Sequence, residues 1–101
     1  MELVVEGNDQ KLKVRIIGDI IADSCAELRE AIIELGARKP EELVVDLRDV
    51  PFIDTSGLGV LVGLRSHMKK FGTTLKVANP QPRVMQVFRL TQLSKLFGLE
   101  N

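Results

Sequence analysis

Aromatic residues and cysteine are scarce in this sequence, which has no tryptophan, no tyrosine, four phenylalanines and one cysteine, Cys25. Proteins that bind single-stranded nucleic acids commonly stack bases on aromatic side chains, so the composition argues against such a platform. A single cysteine cannot form an internal disulfide bond. This favours a reducing compartment, and we expect a cytoplasmic protein.

An excess of positive charge and a long apolar segment are also missing. Lys and Arg number 14 and are balanced by 14 Asp and Glu residues, so the formal net charge is zero. Nucleic acids and anionic membranes usually select proteins with a basic excess, and we expect neither as a partner. No apolar run approaches the roughly 18 residues that span a bilayer, and the first residues lack the pattern of a secretion signal.

The chain of 101 residues has the length of one domain, and its apolar pattern alternates between strands and helices. Strict alternation over 11–16 is typical of a half-buried strand, paired as a hairpin with the apolar run at 3–5. Apolar runs at 42–47 and 74–79 predict two further strands. We therefore expect an α/β domain with a mixed sheet of four to five strands and packed α-helices.

Helix start and stop signals separate these strands. Ser24 and Glu27 have the spacing of a capping box, and Gly36 suits the left-handed end of the first helix. Asn79 is the predicted N-cap of a later helix. The tail is ambiguous, and we expect a helical turn followed by a short strand near 96–99.

Another helix is predicted just beyond Ser56, because apolar residues then recur at steps of three or four positions. They are Leu58, Leu61, Leu64 and Met68. Gly59 and Gly63 lie four residues apart on this helix, a spacing that would let another backbone approach closely.

The segment FIDTSGLGVL at 52–61 places three capping side chains in succession where a strand leads into this helix. Asp54, Thr55 or Ser56 alone would cap the helix, and capping is the ordinary role of such a residue. Three in succession are redundant, and Gly57 would leave Ser56 open to a large partner. A phosphate on Ser56 would add about −1.5 to −2 charges at a helix end that accommodates anions. The pattern therefore favours Ser56 as a phosphorylation site.

The longer stretch VVDLRDVPFIDTSGLGVL resembles the signature of the STAS domain family, in particular the bacterial anti-sigma factor antagonists. In that family an apolar strand leads into D-[ST]-S-G-[LI]-G-x-L, a pattern that this sequence matches from Asp54 to Leu61. The segments VRIIGDI, LKVAN and VMQVFRLTQLSKLF extend the similarity over nearly the whole chain.

The resemblance implies a non-enzymatic, partner-switching protein with no cofactor or metal of its own. Its unmodified form would bind an anti-sigma factor, a serine kinase that carries its own ATP, and so release the sigma factor. The kinase would phosphorylate Ser56 and end the complex, and a metal-dependent serine phosphatase would restore the hydroxyl. The partner-binding residues implied are Asp23, Asp54, Thr55, Ser56, Gly57 and Leu58. Family members often carry an acid where this chain has Ile21, and Asp23 lies two residues later.

Three other functions fit parts of the sequence. A retroviral-type aspartic protease needs D-[ST]-G, but here a serine follows Thr55 and a helical pattern comes next. A flavodoxin-like phosphate loop would need more glycines and an aromatic residue to stack on the flavin. A STAS scaffold subunit of a stress-signalling or lipid-transport complex stays open as the alternative, and it would bind without being phosphorylated.

Three further reactive side chains carry weaker signals. His67 has no second ligand at metal-binding spacing, and we expect a surface residue rather than a ligand or a base. Cys25 fits a small packing residue better than a reactive thiol. Thr55 is a second hydroxyl beside Ser56, although such residues more often cap or bond locally.

Overall fold

The computed structural model describes residues 1–99, and a four-stranded mixed sheet lies at its centre. The strands β1 (Glu2–Gly7), β2 (Lys11–Ile17), β3 (Glu42–Asp49) and β4 (Thr74–Ala78) are neighbours in the order of the sequence. β1 pairs with β2 in antiparallel fashion, whereas β2 with β3 and β3 with β4 are parallel. The predicted α/β class with a mixed sheet is therefore confirmed.

Helices connect the parallel strands. A 3₁₀ turn at Ala22–Ser24 precedes helix α1 (Cys25–Gly36), which leads from β2 to β3. Helix α2 (Thr55–Lys69) leads from β3 to β4, and helix α3 (Pro82–Leu90) follows β4. No helix within residues 1–99 is both long and apolar enough to cross a membrane.

The core lies between the helices and one face of the sheet. The alternation in β2 places Leu12, Val14 and Ile16 on this face, each at most 2% exposed. Other buried apolar residues of this core are Leu28, Ile32, Leu43, Val45, Leu47, Leu58, Leu61, Leu64, Met68, Leu75, Val77, Val84, Phe88 and Phe97. All four apolar residues predicted for the inner side of α2 are among them, which confirms the helical period of that segment.

The opposite face of the sheet is open and charged. Lys13 of β2 forms an ion pair with Asp46 of β3, with 3.2 Å between Nζ and Oδ2. Glu42 of β3 accepts from Lys11 at 3.1 Å and from Lys76 at 2.8 Å. These five residues mark what we call the open sheet face, where polar side chains replace a second layer of helices.

Helix α1 does not end on a left-handed glycine, so that prediction is wrong. Gly36 is the last helical residue and is buried, and a Cβ atom there would overlap the thioether of Met68. The left-handed backbone falls instead at Lys39, with φ of 55°, just before Pro40. Gly36 is therefore needed for the close contact between α1 and α2.

Helix α3 begins two residues later than predicted. Gln81 is the N-cap and Pro82 the first helical residue, whereas Asn79 has a left-handed φ of 54°. The side chain of Asn79 donates a hydrogen bond to Asp46. Asn79 is thus engaged by the sheet, and the helix starts after it.

The strand expected near 96–99 is also wrong, because the segment consists of turns. One backbone bond joins it to the sheet, from the Val77 N–H to the Phe97 carbonyl at 3.0 Å. The Phe97 ring packs edge-on against Phe88 with centroids 5.6 Å apart. The tail therefore closes the core through a buried ring rather than by extending the sheet.

Candidate functional site

The D-T-S-G motif lies at the carboxyl end of β3, beside the loop that follows β2. Ile53 forms an isolated parallel bridge with Ile20. The Ile20 N–H donates to the Phe52 carbonyl at 3.0 Å, and the Asp54 N–H donates to the Ile20 carbonyl at 3.1 Å. The carboxyl ends of parallel strands are where α/β folds usually bind, and here two loops are held together at that edge.

Asp54 is the N-cap of α2 and joins these two loops through its side chain. Its backbone is extended, with φ of −99° and ψ of 179°, and Oδ1 accepts a hydrogen bond from the Gly57 N–H at 2.9 Å. Its other oxygen, Oδ2, accepts from the Ala22 N–H at 3.2 Å. One carboxylate therefore fixes the start of α2 and holds the 3₁₀ turn against it.

Thr55 and Ser56 are exposed on the first turn of α2. Asp54 accepts a hydrogen bond from the Gly57 N–H. The N–H groups of Thr55 and Ser56 belong to the first turn as well, and the helix itself provides no acceptor for them. They give this helix end a partial positive charge beside the Ser56 hydroxyl. The hydroxyl is accessible from solvent without any change of the fold.

Asp23 is exposed in the 3₁₀ turn that Asp54 binds. The structure therefore places Asp23 beside the motif, although 31 residues separate it from Asp54 in the sequence. We call the surface formed by Asp23, Asp54, Thr55 and Ser56 the switch surface. Two of its four side chains are carboxylates, so the switch surface itself carries negative charge.

Gly57 and Leu58 were also predicted to bind the partner, and both are buried in this structure. A Cβ atom on Gly57 would lie 2.7 Å from Ile20 Cγ2 and 2.8 Å from the Ile20 carbonyl oxygen. Leu58 is 4% exposed and belongs to the core. Both face inward because an amphipathic helix turns a residue toward the core every three or four positions. Gly57 permits close packing under the motif and does not open space around Ser56.

Ser24 occupies the N-cap position of α1 but does not cap it, so the predicted capping box with Glu27 is wrong. Its Oγ accepts from the Ile21 N–H at 3.0 Å and donates to the Ile21 carbonyl at 3.0 Å. The backbone of Ser24 is itself helical, with φ of −100° and ψ of −4°, because it ends the 3₁₀ turn. Ser24 thus stabilises the turn that carries Asp23.

Cys25, next to this turn, is a packing residue. Its Sγ lies 3.3 Å from the Ile21 carbonyl oxygen. Burial, followed by the negative charge of Asp54, raises the pKa of the Cys25 thiol above its ordinary value. A thiol with a raised pKa is protonated at neutral pH and is a poor nucleophile.

His67 is exposed on the last turn of α2, about 16 Å along the helix axis from Ser56. Its ring lies against Phe71, with centroids 5.2 Å apart. His67 is therefore beyond hydrogen-bond reach of Ser56 and cannot act as its base. The two Asp54 oxygens each accept a backbone hydrogen bond. Among residues 1–99 no three His, Cys, Asp or Glu side chains cluster as a metal site. The arrangement presents the exposed Ser56 at the start of a helix.

The close backbone approach expected at Gly59 and Gly63 is not found. Nothing within the described part of the chain comes within 4 Å of a Cβ atom built on either glycine. Both lie on the outer side of α2, where α1 and the sheet do not reach.

Two features of this site were not predicted from the sequence. Phe52, immediately before the motif, is 43% exposed. The sequence indicated this only by placing a large apolar residue between Pro51 and Ile53. The bond between Asp54 and Ala22 had no sequence signal, because 32 residues separate the partners.

Comparison with known proteins agrees with the fold and the motif. The STAS domain family matches residues 2–101. An anti-sigma-B factor antagonist of Bacillus subtilis is 35% identical over 95 residues, covering 94% of this chain and 86% of the relative. The crystal structure of an anti-sigma factor antagonist from Mycobacterium paratuberculosis is 28% identical with a TM-score of 0.80, covering 96% of this chain and 82% of that one.

The anti-sigma factor antagonist SpoIIAA in its unphosphorylated form shares the fold. Its TM-score is 0.80 at 19% identity, with 93% of this chain and 84% of that chain covered. The relatives are named as regulators rather than as enzymes. With the motif at the β3–α2 junction and a family match over almost its full length, this chain belongs to the STAS domain family.

Proposed function

We propose that this protein is an anti-sigma factor antagonist whose switch is the hydroxyl of Ser56. The unmodified protein binds an anti-sigma factor that is a serine kinase, and this binding releases the sigma factor. The kinase transfers the γ-phosphoryl group of its own ATP to Ser56 Oγ, which yields phosphoserine and ADP. A serine phosphatase hydrolyses the phosphoester and restores binding. This role places the protein in the cytoplasm, where sigma factors act.

The exposure of Ser56 on a rigidly held helix start is the observation that supports this proposal most. Asp54 fixes the first turn through Gly57 and Ala22, so a kinase meets the hydroxyl in a preformed loop. The helix N-terminus also accommodates the negative charge that the reaction leaves behind.

Phosphorylation ends the complex because the added charge lies within the docking surface. Phosphoserine carries about −1.5 to −2 charges, beside the carboxylates of Asp23 and Asp54. A hundredfold loss of affinity requires only about 2.7 kcal/mol. Desolvating an unpaired phosphate at an interface costs at least that much.

The other residues of the switch surface have separate roles in this proposal. Asp23 supplies a carboxylate for the partner, in place of the acid that the family often carries at the position of Ile21. Thr55 contributes exposed contact area next to Ser56. Asp54 shapes the loop, since both of its oxygens are engaged within the protein.

Incubation with a candidate anti-sigma kinase and ATP, followed by peptide mapping in a mass spectrometer, tests the proposal. We expect one phosphate, on Ser56. Ser56→Ala should bind the kinase and accept no phosphate, whereas Ser56→Asp should bind about a hundredfold more weakly. Thr55→Ala is the matched control and should still be phosphorylated.

Two results would contradict the proposal. Phosphate on the Ser56→Ala protein would assign the switch to another residue, with Thr55 the nearest hydroxyl. Kinase affinity that is equal for the phosphorylated and unmodified proteins would favour a scaffold role without a switch.

A further inference from the structure

A second surface with the character of a binding site lies at the other end of α2, where α1 and α2 both finish. It is a cleft of about 270 Å³. Its lining residues are Ile33, Gly36, Ala37, Lys39, His67, Met68 and Phe71. We call it the helix-end cleft. It lies about 20 Å along the helix axis from Ser56.

Large apolar side chains stand open to solvent on both sides of the cleft. Ile33 of α1 is 39% exposed and Phe71 is 56% exposed, while Met68 is buried between them. The Phe71 ring packs against the His67 ring. The backbone N–H of Phe71 donates a hydrogen bond to the Met68 carbonyl at 3.0 Å. Phe71 is therefore an ordered, exposed aromatic residue, a feature that marks interaction surfaces.

The charge of the cleft has one sign. Lys39 and His67 are its ionisable lining residues, and no carboxylate lines it among residues 1–99. Lys70 follows on the adjoining turn and is exposed. Neither Lys39 nor Lys70 takes part in an ion pair of the described chain, whereas the lysines of the open sheet face all do. The helix dipole favours cations near the C-terminus of a helix, which accounts for the lysines. It does not account for the exposed Phe71 ring between them.

We propose that the helix-end cleft docks an acidic peptide segment of a partner protein. One large apolar side chain of that segment packs on Phe71 and Met68, and its flanking carboxylates pair with Lys39 and Lys70. This interaction goes beyond the function of Ser56 and does not require it. Because the two surfaces lie at opposite ends of α2, a partner at the cleft stays bound whether or not Ser56 is phosphorylated.

The dimensions and charge favour a peptide over two other occupants. Small-molecule sites usually enclose about 300–1,000 Å³, and this cleft of about 270 Å³ lies at the lower end of that range. A second copy of the chain could offer its exposed Phe52 beside Asp54, but both Asp54 oxygens already accept backbone hydrogen bonds. The acidic apolar segment at 2–6 is held in β1 by pairing with β2. Such a head-to-tail contact would also generate open chains of molecules rather than a closed dimer.

The test is a methyl and amide NMR titration with a synthetic acidic amphipathic peptide that carries one phenylalanine anchor. The control peptide keeps the anchor and replaces every carboxylate with lysine. We expect shifts at Ile33 and Met68 with the acidic peptide alone, and weaker binding at higher salt. Phe71→Ser and Lys39→Glu should each weaken the affinity about tenfold or more.

Matched variants elsewhere on the surface separate docking from general stickiness. Leu90→Ser removes an apolar side chain that is 77% exposed, and Lys95→Glu reverses an exposed lysine outside the cleft. Both proteins, and Ser56→Asp, should bind the acidic peptide as the unaltered protein does. Phe71 and Lys39 are exposed, so their variants should fold, which circular dichroism verifies.

Several outcomes overturn the proposal. An acidic peptide is not the occupant of the cleft if both peptides bind equally or if the shifts map outside the cleft. The same holds if the control variants lose as much affinity as the cleft variants. Binding of dodecanoate without binding of the peptide would assign the cleft to a small amphiphile. Self-association in sedimentation that Phe71→Ser abolishes would assign it to a second copy of the chain.

Discussion

Gly57 and Gly59, two positions apart in the motif, have opposite packing environments. A Cβ atom on Gly57 would lie 2.8 Å from the Ile20 carbonyl oxygen and 2.9 Å from Ile53 Cγ1. Gly59 is exposed within α2, and nothing among residues 1–99 comes within 4 Å of a Cβ atom built on it. The first glycine is required by packing, whereas the second only adds conformational entropy to the unfolded chain.

We therefore expect opposite effects from the same alanine substitution. Gly57→Ala should lower the free energy of unfolding by about 1–3 kcal/mol, because the Ile20 backbone has to move. Gly59→Ala should raise it by up to about 1 kcal/mol, because alanine favours the helix. Urea unfolding of the two variants measures both changes. Destabilisation of similar size in both would show that the loop around Ile20 is not the constraint.

At the scale of elements, Asp46 of β3 connects three parts of the molecule on the open sheet face. It is fully buried and accepts from Arg48 Nε at 2.9 Å, from the Arg48 N–H at 3.0 Å, from Lys13 and from Asn79. Burial opposes the charged form of this carboxylate, but the hydrogen bonds from Arg48, Asn79 and Lys13 outweigh it. They lower the pKa of Asp46 from 3.8 to about 2. Asp46 thus links β2, β3 and the residue that follows β4.

The lowered pKa predicts a pH-dependent contribution to stability. The folded protein holds the proton less tightly than the unfolded chain, so the contribution is present above about pH 4 and is lost as the pH falls toward 2. Asp46→Asn should lower the free energy of unfolding by about 2 kcal/mol at pH 6. Its difference from the unaltered protein should shrink between pH 4 and pH 2 in urea unfolding. A difference that stays constant with pH would mean that the charge of Asp46 does not stabilise the fold.

At the scale of the whole molecule, α2 runs from the switch surface to the helix-end cleft. The switch surface carries Asp23 and Asp54, and the helix-end cleft carries Lys39 and His67. Between them the inner side of α2 is buried in a continuous core. Because Ser56 lies outside that core, a charge added to it should change the surface and leave the packing unaltered.

Phosphorylated protein and Ser56→Asp should therefore keep the melting temperature within about 4 °C of the unmodified protein. The methyl resonances of Leu61 and Met68, which lie deeper along α2, should not shift. Calorimetry and methyl NMR measure the two quantities. A loss of stability beyond that range, or shifts of these core methyls, would indicate that the switch works by rearranging the fold.

Local patterns were sufficient to predict the four strands, the three helices and their order, although they also predicted a strand near 96–99, where the structure has turns. The alternation in β2 and the steps of three or four residues in α2 indicate which side of each element is apolar. The apolar side is the one that becomes buried in the core. Element ends were less predictable, since other parts of the chain decide them. Gly36 lies inside α1, where Met68 packs against it. Asn79 lies before α3, and its side chain binds Asp46.

The sequence by itself determined the family, the α/β class and the position of Ser56 at a helix start, because each depends on residues that are close together in the chain. Only the tertiary structure decided that Gly57 packs against Ile20. It also decided that Asp54 binds Ala22, and that Ile33 and Phe71 line one cleft. These contacts join residues that lie tens of positions apart, and they form only when the helices pack on the sheet.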